Sequence, residues 1–285
     1  MQREYRELLD STIDHLQLLK SAGARHVAVS QETIAALSAP VLPTATRLRP
    51  TEPPISLPVK VVETATIPAA MRTPKATNDS KSTALAALRE RVLPCIQCAH
   101  LASSRTQVVF GVGDPEAQLM FVGEAPGADE DEKGEPFIGK AGQLLTKIIL
   151  AMGLARENVY IANILKCRPD TPGQSAGNRK PTAAEMATCK PYLLEQIQII
   201  QPRALVALGA TAIDGLLGKT EGISKLRGHW QEFAGIPLMP TYHPAYLLRN
   251  QALSEKRKVW EDMLLVMGKL EMPISEKQHN FFLRA

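Results

Sequence analysis

A three-layer αβα sandwich on a mostly parallel, four-stranded central sheet is the α/β fold class this sequence predicts, and three observations predict it. Four short apolar runs, Leu119–Val122, Val159–Leu165, Ala204–Leu208 and Ile236–Met239, have strand length and alternate with stretches of helical periodicity. Alternation of this kind builds a parallel sheet with helices on both faces. Two of the runs end in turn residues, Gly123-Glu-Ala-Pro-Gly127 and His243-Pro244, at the strand ends where open α/β sheets form ligand sites.

Along the chain, residues 2–22 carry Tyr5, Leu8, Leu9, Ile13, Leu16, Leu18 and Leu19 near helical spacing, with Gly23 as a stop. A second short helix is expected over Gln31–Leu37. From Ala39 to Ser80 the chain is rich in Pro, Thr, Ala and Val without periodicity, which reads as a linker. Thr83–Val92 reads as a helix leading into Cys95, followed by an apolar run at Val108–Phe110. The first strand, Leu119–Val122, is followed by a helix over Lys140–Met152 that ends at Gly153. After the second strand comes a helix over Thr182–Ile200, with Thr182 and Glu185 spaced as a capping box. The third strand leads through Gly209 into a helix over Thr211–Leu217. The fourth leads to His243, and a helix over Ala252–Leu270 closes the domain. The expected organisation is a helical extension (1–38), a linker (39–80), a globular domain (81–272) and a tail (273–285).

The 285 residues are 45% hydrophobic, and the net charge of +4 is mild, compatible with a polyanionic partner without requiring one. No apolar run approaches the roughly 18 residues needed to span a bilayer. The first residues lack the hydrophobic core of a secretory signal, so a cytoplasmic protein without membrane association is expected. In a reducing compartment the four cysteines are not expected as disulfides. Cys95 and Cys98 form a C-x-x-C pair, while Cys167 and Cys189 stand far downstream. Four thiolates suit tetrahedral zinc or a [4Fe–4S] cluster. The split second pair departs from a compact zinc knuckle and tilts the reading to the cluster. Either group would tie the segment before the first strand onto the sheet.

Several motifs together carry a resemblance. They are Gly123-Glu-Ala-Pro-Gly-Ala-Asp-Glu-Asp131 with Gly134-Glu-Pro-Phe-Ile-Gly-Lys-Ala-Gly-Gln-Leu-Leu145, Ile161-Ala-Asn-Ile-Leu-Lys-Cys-Arg-Pro169, Gly177-Asn-Arg179 with Pro181-Thr182, Leu208-Gly-Ala-Thr211, and Thr241-Tyr-His-Pro-Ala-Tyr-Leu-Leu-Arg249. In that order, over about residues 83–270, the chain resembles the iron–sulfur (type 4) uracil-DNA glycosylases. The four cysteines fall where that family places its cluster ligands. The resemblance implies an enzyme that flips uracil out of DNA and hydrolyses its glycosidic bond, leaving an abasic site.

Such an enzyme must grip an extruded base in a pocket. The resemblance assigns Phe137 to stacking and Asn163 to the base edge, with Ala125 and Gly127 in the same pocket. It assigns His243 to the leaving anion, Glu124 and Glu130 to the acidic roles of charge stabilisation and water orientation, and Asn178 to positioning water. Asp129, Asp131 and Glu132 read as a solvated loop. The best-known uracil glycosylases carry Asp and Tyr where this chain has Ala125 and Gly127, so activation of water by that aspartate and exclusion of thymine by that tyrosine are both absent here. The insert Asp170–Ala176 also exceeds the family pattern. Leu247, Leu248 and Arg249 suit a wedge entering the base stack, with Lys225, Arg227, Lys256, Arg257 and Lys258 as a basic rim. The expected partner is uracil-containing DNA, bound by a monomer, with the N-terminal helix free to dock another protein. A uracil-binding or covalently trapped protein with little turnover, and a non-catalytic metal-bearing DNA-binding module, are the alternatives.

Overall fold

A computed structural model describes residues 78–169, 178–218 and 221–283. The helices expected at 2–22 and 31–37, nearly all of the linker, and the insert 170–176 lie outside the described residues. In chain order the elements begin with α1 (Asn78–Val92), α2 (Ala99–Ser104), β1 (Val112–Gly113), β2 (Leu119–Gly123) and α3 (Ala128–Lys133). Next come α4 (Lys140–Ala151), a 3₁₀ turn (Arg156–Asn158), β3 (Tyr160–Asn163), α5 (Ala183–Ile200), β4 (Ala204–Leu208), α6 (Ala210–Leu217) and α7 (Ile223–Leu226). β5 (Gln231–Phe233), β6 (Ile236–Thr241), α8 (Pro244–Arg249), α9 (Leu253–Lys269) and α10 (Glu276–His279) complete the described chain.

The sheet has six strands rather than the four expected, in the order β1-β3-β2-β4-β6-β5. The four expected strands are its parallel interior, and β1 and β5 add to the two edges antiparallel. Sequence reasoning missed those edges because they span two and three residues, too short for a period to emerge.

Alternation of side chains along each strand builds the two covering layers. Met120, Val122, Tyr160, Ala162, Leu205 and Ala207 face one core, packed with Leu88 of α1, Leu193 and Ile197 of α5 and Ile213 of α6. Leu119, Phe121, Ile161, Ala204 and Val206 face the other, packed with Leu145 and Ile149 of α4 and Trp260, Met263 and Val266 of α9. The capping box at the start of α5 forms as expected: Thr182 Oγ1 accepts from the Glu185 N–H, and the Glu185 carboxylate accepts from the Thr182 N–H at 2.7 Å.

The segment after residue 272, expected as a tail, docks onto α9 and α4. Trp260 Nε1 donates to the Gln278 carbonyl at 2.6 Å, and Gln278 Nε2 donates to the Ala151 carbonyl at 2.9 Å. Phe281 packs against Trp260 with ring centroids 5.2 Å apart and planes tilted by 56°. The sheet order reverses between β2, flanked by β3 on one side, and β4 on the other. The carboxyl ends of these strands and of β6 therefore open onto one crevice, the position where such sheets bind ligands.

Candidate active site

The loop from β2 to α4 carries Phe137 in a backbone conformation that a bulky residue rarely adopts, with φ of +54°. Three contacts hold it there. Arg156, from the 3₁₀ turn, forks onto two successive carbonyls, donating to Pro136 O at 2.7 Å and Phe137 O at 2.9 Å. Glu130 Oε1 accepts from the N–H groups of Ile138 and Gly139, while its Oε2 accepts from Gly127 N–H. One carboxylate thus clasps the two halves of the loop together. Gly142 provides the third contact, because a β-carbon there would lie 1.8 Å from the Phe137 carbonyl carbon and oxygen. The Phe137 ring lies against the end of β2, where a β-carbon on Gly123 would meet it at 2.5 Å.

Gly142 tests this arrangement. On an exposed helix Gly→Ala stabilises by about 1 kcal/mol, but here the β-carbon would strike backbone atoms that cannot swing aside, so an overpacking cost at or above the top of the usual range of roughly 1–3 kcal/mol applies. Gly142→Ala is expected to lower the melting temperature by roughly 3–10 °C, the reverse of the propensity effect, as thermal denaturation will show.

Asn163 ends β3 with 2% of its surface exposed. Its buried Oδ1 has no hydrogen-bond partner among the described residues, an unusual state for a buried polar atom. Its backbone carbonyl accepts from the ammonium of Lys166, which also donates to Gln196 Oε1 at 2.6 Å. Lys166 is itself buried, and burial draws its ammonium down to about 8.

His243 caps α8, its Nδ1 accepting from the Ala245 N–H at 3.1 Å. In the neutral ring that bond places the proton on Nε2. Burial, with a smaller contribution from the Arg249 cation, pulls its pKa down to about 4. The imidazole is therefore neutral at pH 7 and donates through Nε2. Its ring stands 5.6 Å from that of Phe137, centroid to centroid. Beneath the turn, Thr241 Oγ1 donates to Asp262, a fully buried carboxylate that also takes the Arg227 guanidinium.

A cavity of about 340 Å³ joins these groups: Phe137, Asn163, His243, Glu130 and Asn178 line it, as do Ala125 and Gly127. Asn178 is exposed, and its Oδ1 accepts from Arg168 Nε at 2.8 Å. Glu124 sits one residue before Ala125 but does not line the cavity, and its carbonyl accepts from Leu165 N–H. Asp129, expected only as a solvated loop residue, lines the cavity together with Lys140.

Two expectations about the DNA-facing segment need correction. Leu247 is 4% exposed and packs with Tyr242 and Val259, whereas Leu248 (39%) and Arg249 face out. Successive helical residues point roughly 100° apart, so a contiguous run in α8 cannot all form a wedge. Arg227, expected at the basic rim, is an internal brace on Asp262 and over the Tyr242 ring. Asp131, read as solvated, is buried and accepts from the Thr106 N–H. Arg156, Lys166 and Gly142 were not anticipated at all. A lysine set directly after the apolar pair Ile164-Leu165 was the one legible signal among them.

The cysteines meet at a second, small cavity on the far side of β3, which all four line. Arg105 donates to Cys167 Sγ at 3.0 Å and to the Cys95 carbonyl, and the Lys166 N–H donates to Cys189 Sγ at 3.3 Å. Burial pushes the Cys98 and Cys167 thiols up and drives Cys189 to about 11. Among the described residues, no three His, Cys, Asp or Glu side chains are gathered tightly enough to hold one ion.

A profile of the uracil DNA glycosylase superfamily matches residues 110–264. The type-4 uracil-DNA glycosylase of Thermotoga maritima is 46% identical over 176 residues, covering 61% of this chain and 88% of that protein. Those of Sulfurisphaera tokodaii and Pyrobaculum aerophilum are each 42% identical, covering 61% and 64% of this chain and 79% and 92% of their own lengths. With more than half of the sequence inside the family profile and relatives at 42–46% identity covered over most of their own length, the chain belongs to the uracil-DNA glycosylase superfamily, among its type-4 proteins.

Proposed function

We propose that the protein excises uracil from DNA by hydrolysing the N-glycosidic bond, and that the cavity at the strand ends takes the flipped base. The observation that carries this reading is the buried, partnerless Oδ1 of Asn163 in the wall of a cavity that also presents an aromatic ring and a neutral imidazole. Uracil offers that oxygen the N–H donor it lacks, and the Asn163 amide N–H₂ donates to a neighbouring carbonyl of the base. Phe137 supplies the stacking face, worth about 1–3 kcal/mol per base.

When the C1′–N1 bond breaks, its electron pair leaves with the base and the sugar becomes cationic. His243 Nε2–H donates to the oxygen on which the base gathers its negative charge. A neutral donor suits this task, since it stabilises the anion without giving up its proton. Water adds to C1′ and loses a proton to solvent. Asn178 and Asp129 stand at the mouth to orient that water, and the negative charge of Glu130 lies near the cationic sugar. Both Glu130 oxygens already accept backbone N–H groups, so the same residue holds the loop together. Glu124, outside the cavity lining, is assigned no contact with the base. Leu248 enters the base stack, and Arg249 meets phosphate.

Cys95, Cys98, Cys167 and Cys189 would hold a [4Fe–4S] cluster, supplying the four thiolates such a cluster takes. The four sulfurs line one small cavity with two N–H donors turned on them, which supports a metal-bound thiolate set. The wide split between Cys167 and Cys189 favours the cluster over a compact zinc knuckle. Its contribution is structural, joining the segment around α2 to β3 and α5. No described helix is long and apolar enough to cross a membrane. We infer a cytoplasmic protein acting on DNA as a monomer.

The test is release of free base from oligonucleotides carrying U·G, U·A, T·G and hypoxanthine pairs. Uracil release with turnover is expected. Asn163→Ala, which removes two hydrogen bonds to the base, is expected to lower kcat/KM by roughly 30–100-fold. A stable complex that frees no uracil would overturn the enzyme reading.

A further inference from the structure

Lys166 is the one fully buried ammonium among the described residues, at 1% exposure, and the chemistry above leaves it without a role. Each of its polar groups joins a different part of the frame. Its N–H donates to Cys189 Sγ, and its carbonyl accepts from Val109 N–H at 2.8 Å. Its Nζ donates to the Asn163 carbonyl at 3.1 Å and to Gln196 Oε1 at 2.6 Å. Gln196, also fully buried, is fixed in turn by bonds from its Nε2 to Phe110 O and to the Tyr160 hydroxyl. Cys167 follows Lys166 in the chain, while Cys189 and Gln196 share helix α5. The cysteine-bearing segments and the ammonium therefore grip the end of β3 from the same side.

β3 ends at Asn163, and from there the ladder gives way to single bonds: Ile164 N–H to Gly123 O and Leu165 N–H to Glu124 O. The peptide plane after Asn163 is held at both ends, by the Ile164 N–H on Gly123 O and by the Lys166 ammonium on the Asn163 carbonyl. That plane sets where the Asn163 side chain points, because the backbone and the first side-chain torsion are coupled. Leaving a buried carbonyl without a donor is costly, and with only the Ile164 N–H bond left the plane can pivot about that bond toward another donor.

We propose that Lys166 is a positioning residue: by holding the Asn163 carbonyl, its side chain fixes the orientation in which the Asn163 amide meets the base, and so links base recognition to the cysteine frame. This rests on the reading of Asn163 as the residue that reads the base edge. Lys166 touches neither the base nor the sugar.

The experiment is a double-mutant cycle of Lys166→Met and Asn163→Ala in the full-length, metal-replete protein. It is read by kcat/KM on a uracil oligonucleotide, inhibition by free uracil, and affinity for abasic-site DNA. Methionine keeps the apolar stem and removes the donors. Lys166→Met is expected to lower kcat/KM by about 10–30-fold and to weaken uracil inhibition in proportion. Abasic-site affinity, which needs no amide, should stay within about twofold of wild type. In the Asn163→Ala background, Lys166→Met should cost less than about threefold more, since nothing remains to be oriented. Losses that multiply, an unchanged kcat/KM in the single variant, or abasic-site affinity that falls in parallel would each overturn the proposal and leave Lys166 a packing residue. If Lys166→Met does not retain the visible absorbance of the wild type, Gln196→Leu replaces it in the same cycle. It removes the ammonium's second anchor, and additivity there would equally overturn the proposal. A wild-type protein that frees no uracil would remove the glycosylase reading and this inference together, an outcome distinct from additivity in an active enzyme.

Discussion

Replacing His243 with alanine is expected to lower kcat by about 10²–10³-fold with little change in KM, the loss typical of one preorganised donor to a developing anion. The split between the two constants matters. A donor that acts on charge appearing only in the transition state affects kcat, whereas residues that meet the base before the bond breaks, as proposed for Asn163 and Phe137, affect KM as well. The pH dependence follows from the same geometry. With a pKa pulled down to about 4 by burial and by Arg249, His243 keeps its neutral donor form from pH 7 down to about 5 and loses it only as pH falls through 4. An unfolded histidine titrates near 6.5, so between those values the unfolded chain binds a proton that the native ring does not. The stabilising contribution of this group is therefore complete above about 6.5 and is lost as pH falls toward 4. NMR titration of the His243 ring should show no protonation above pH 5, and Arg249→Gln should move its midpoint upward. The ring must be observed directly, because Asp262, pushed up to about 6 by burial, titrates nearer neutrality and holds Thr241 two residues away. A His243 midpoint near 6.5 in the wild type would contradict the neutral-donor role.

Removing one cysteine is expected to have the largest effect on stability. Thiols that burial pushes up must ionise to bind a metal, so the free energy of the metal–thiolate bonds is also free energy of folding. Cys189→Ala should abolish the visible absorbance of an iron–sulfur cluster and lower the melting temperature by roughly 6–20 °C, taking a loss of about 3–5 kcal/mol and about 2–4 °C for each. The damage should be local first. Apart from the cysteines, the segment from Cys95 to Arg105 is bonded to the rest through a few side chains, Arg105 on Cys167 Sγ, His100 on the Glu185 carboxylate and Gln97 on the Tyr192 hydroxyl. Limited proteolysis of the variant should cut there before it cuts the sheet. A colourless wild-type protein containing stoichiometric zinc would overturn the cluster assignment while leaving the tie itself in place.

The parallel interior of the sheet was legible in the chain because each of its strands is a short apolar run bounded by turn residues, and burial on both faces demands such a run. The strand-end motifs were legible for a related reason. Gly123, Asn163 and His243 interrupt apolar stretches with residue types that a core does not need, and that contrast survives in one dimension. The two edge strands were not legible, since pairing with a neighbour, not their own composition, makes them strands. Leu247 could not be told from Leu248 for the same kind of reason: they are chemically identical, and only the packing of α8 against Tyr242 and Val259 separates them.

Chemical identity was thus written in the chain: which side chains are able to stack, accept, donate and ligate, and the family to which their order belongs. What each of them is free to do was decided by the fold. Glu130 became a clasp when three N–H groups converged on it, Arg227 became an internal brace when Asp262 came within reach, and a lysine beside a cysteine became the support of an asparagine. Hydrogen-bond partners and burial depend on residues tens of positions apart meeting in space. No local pattern records those meetings, so they appear only once the sheet has brought its strand ends together.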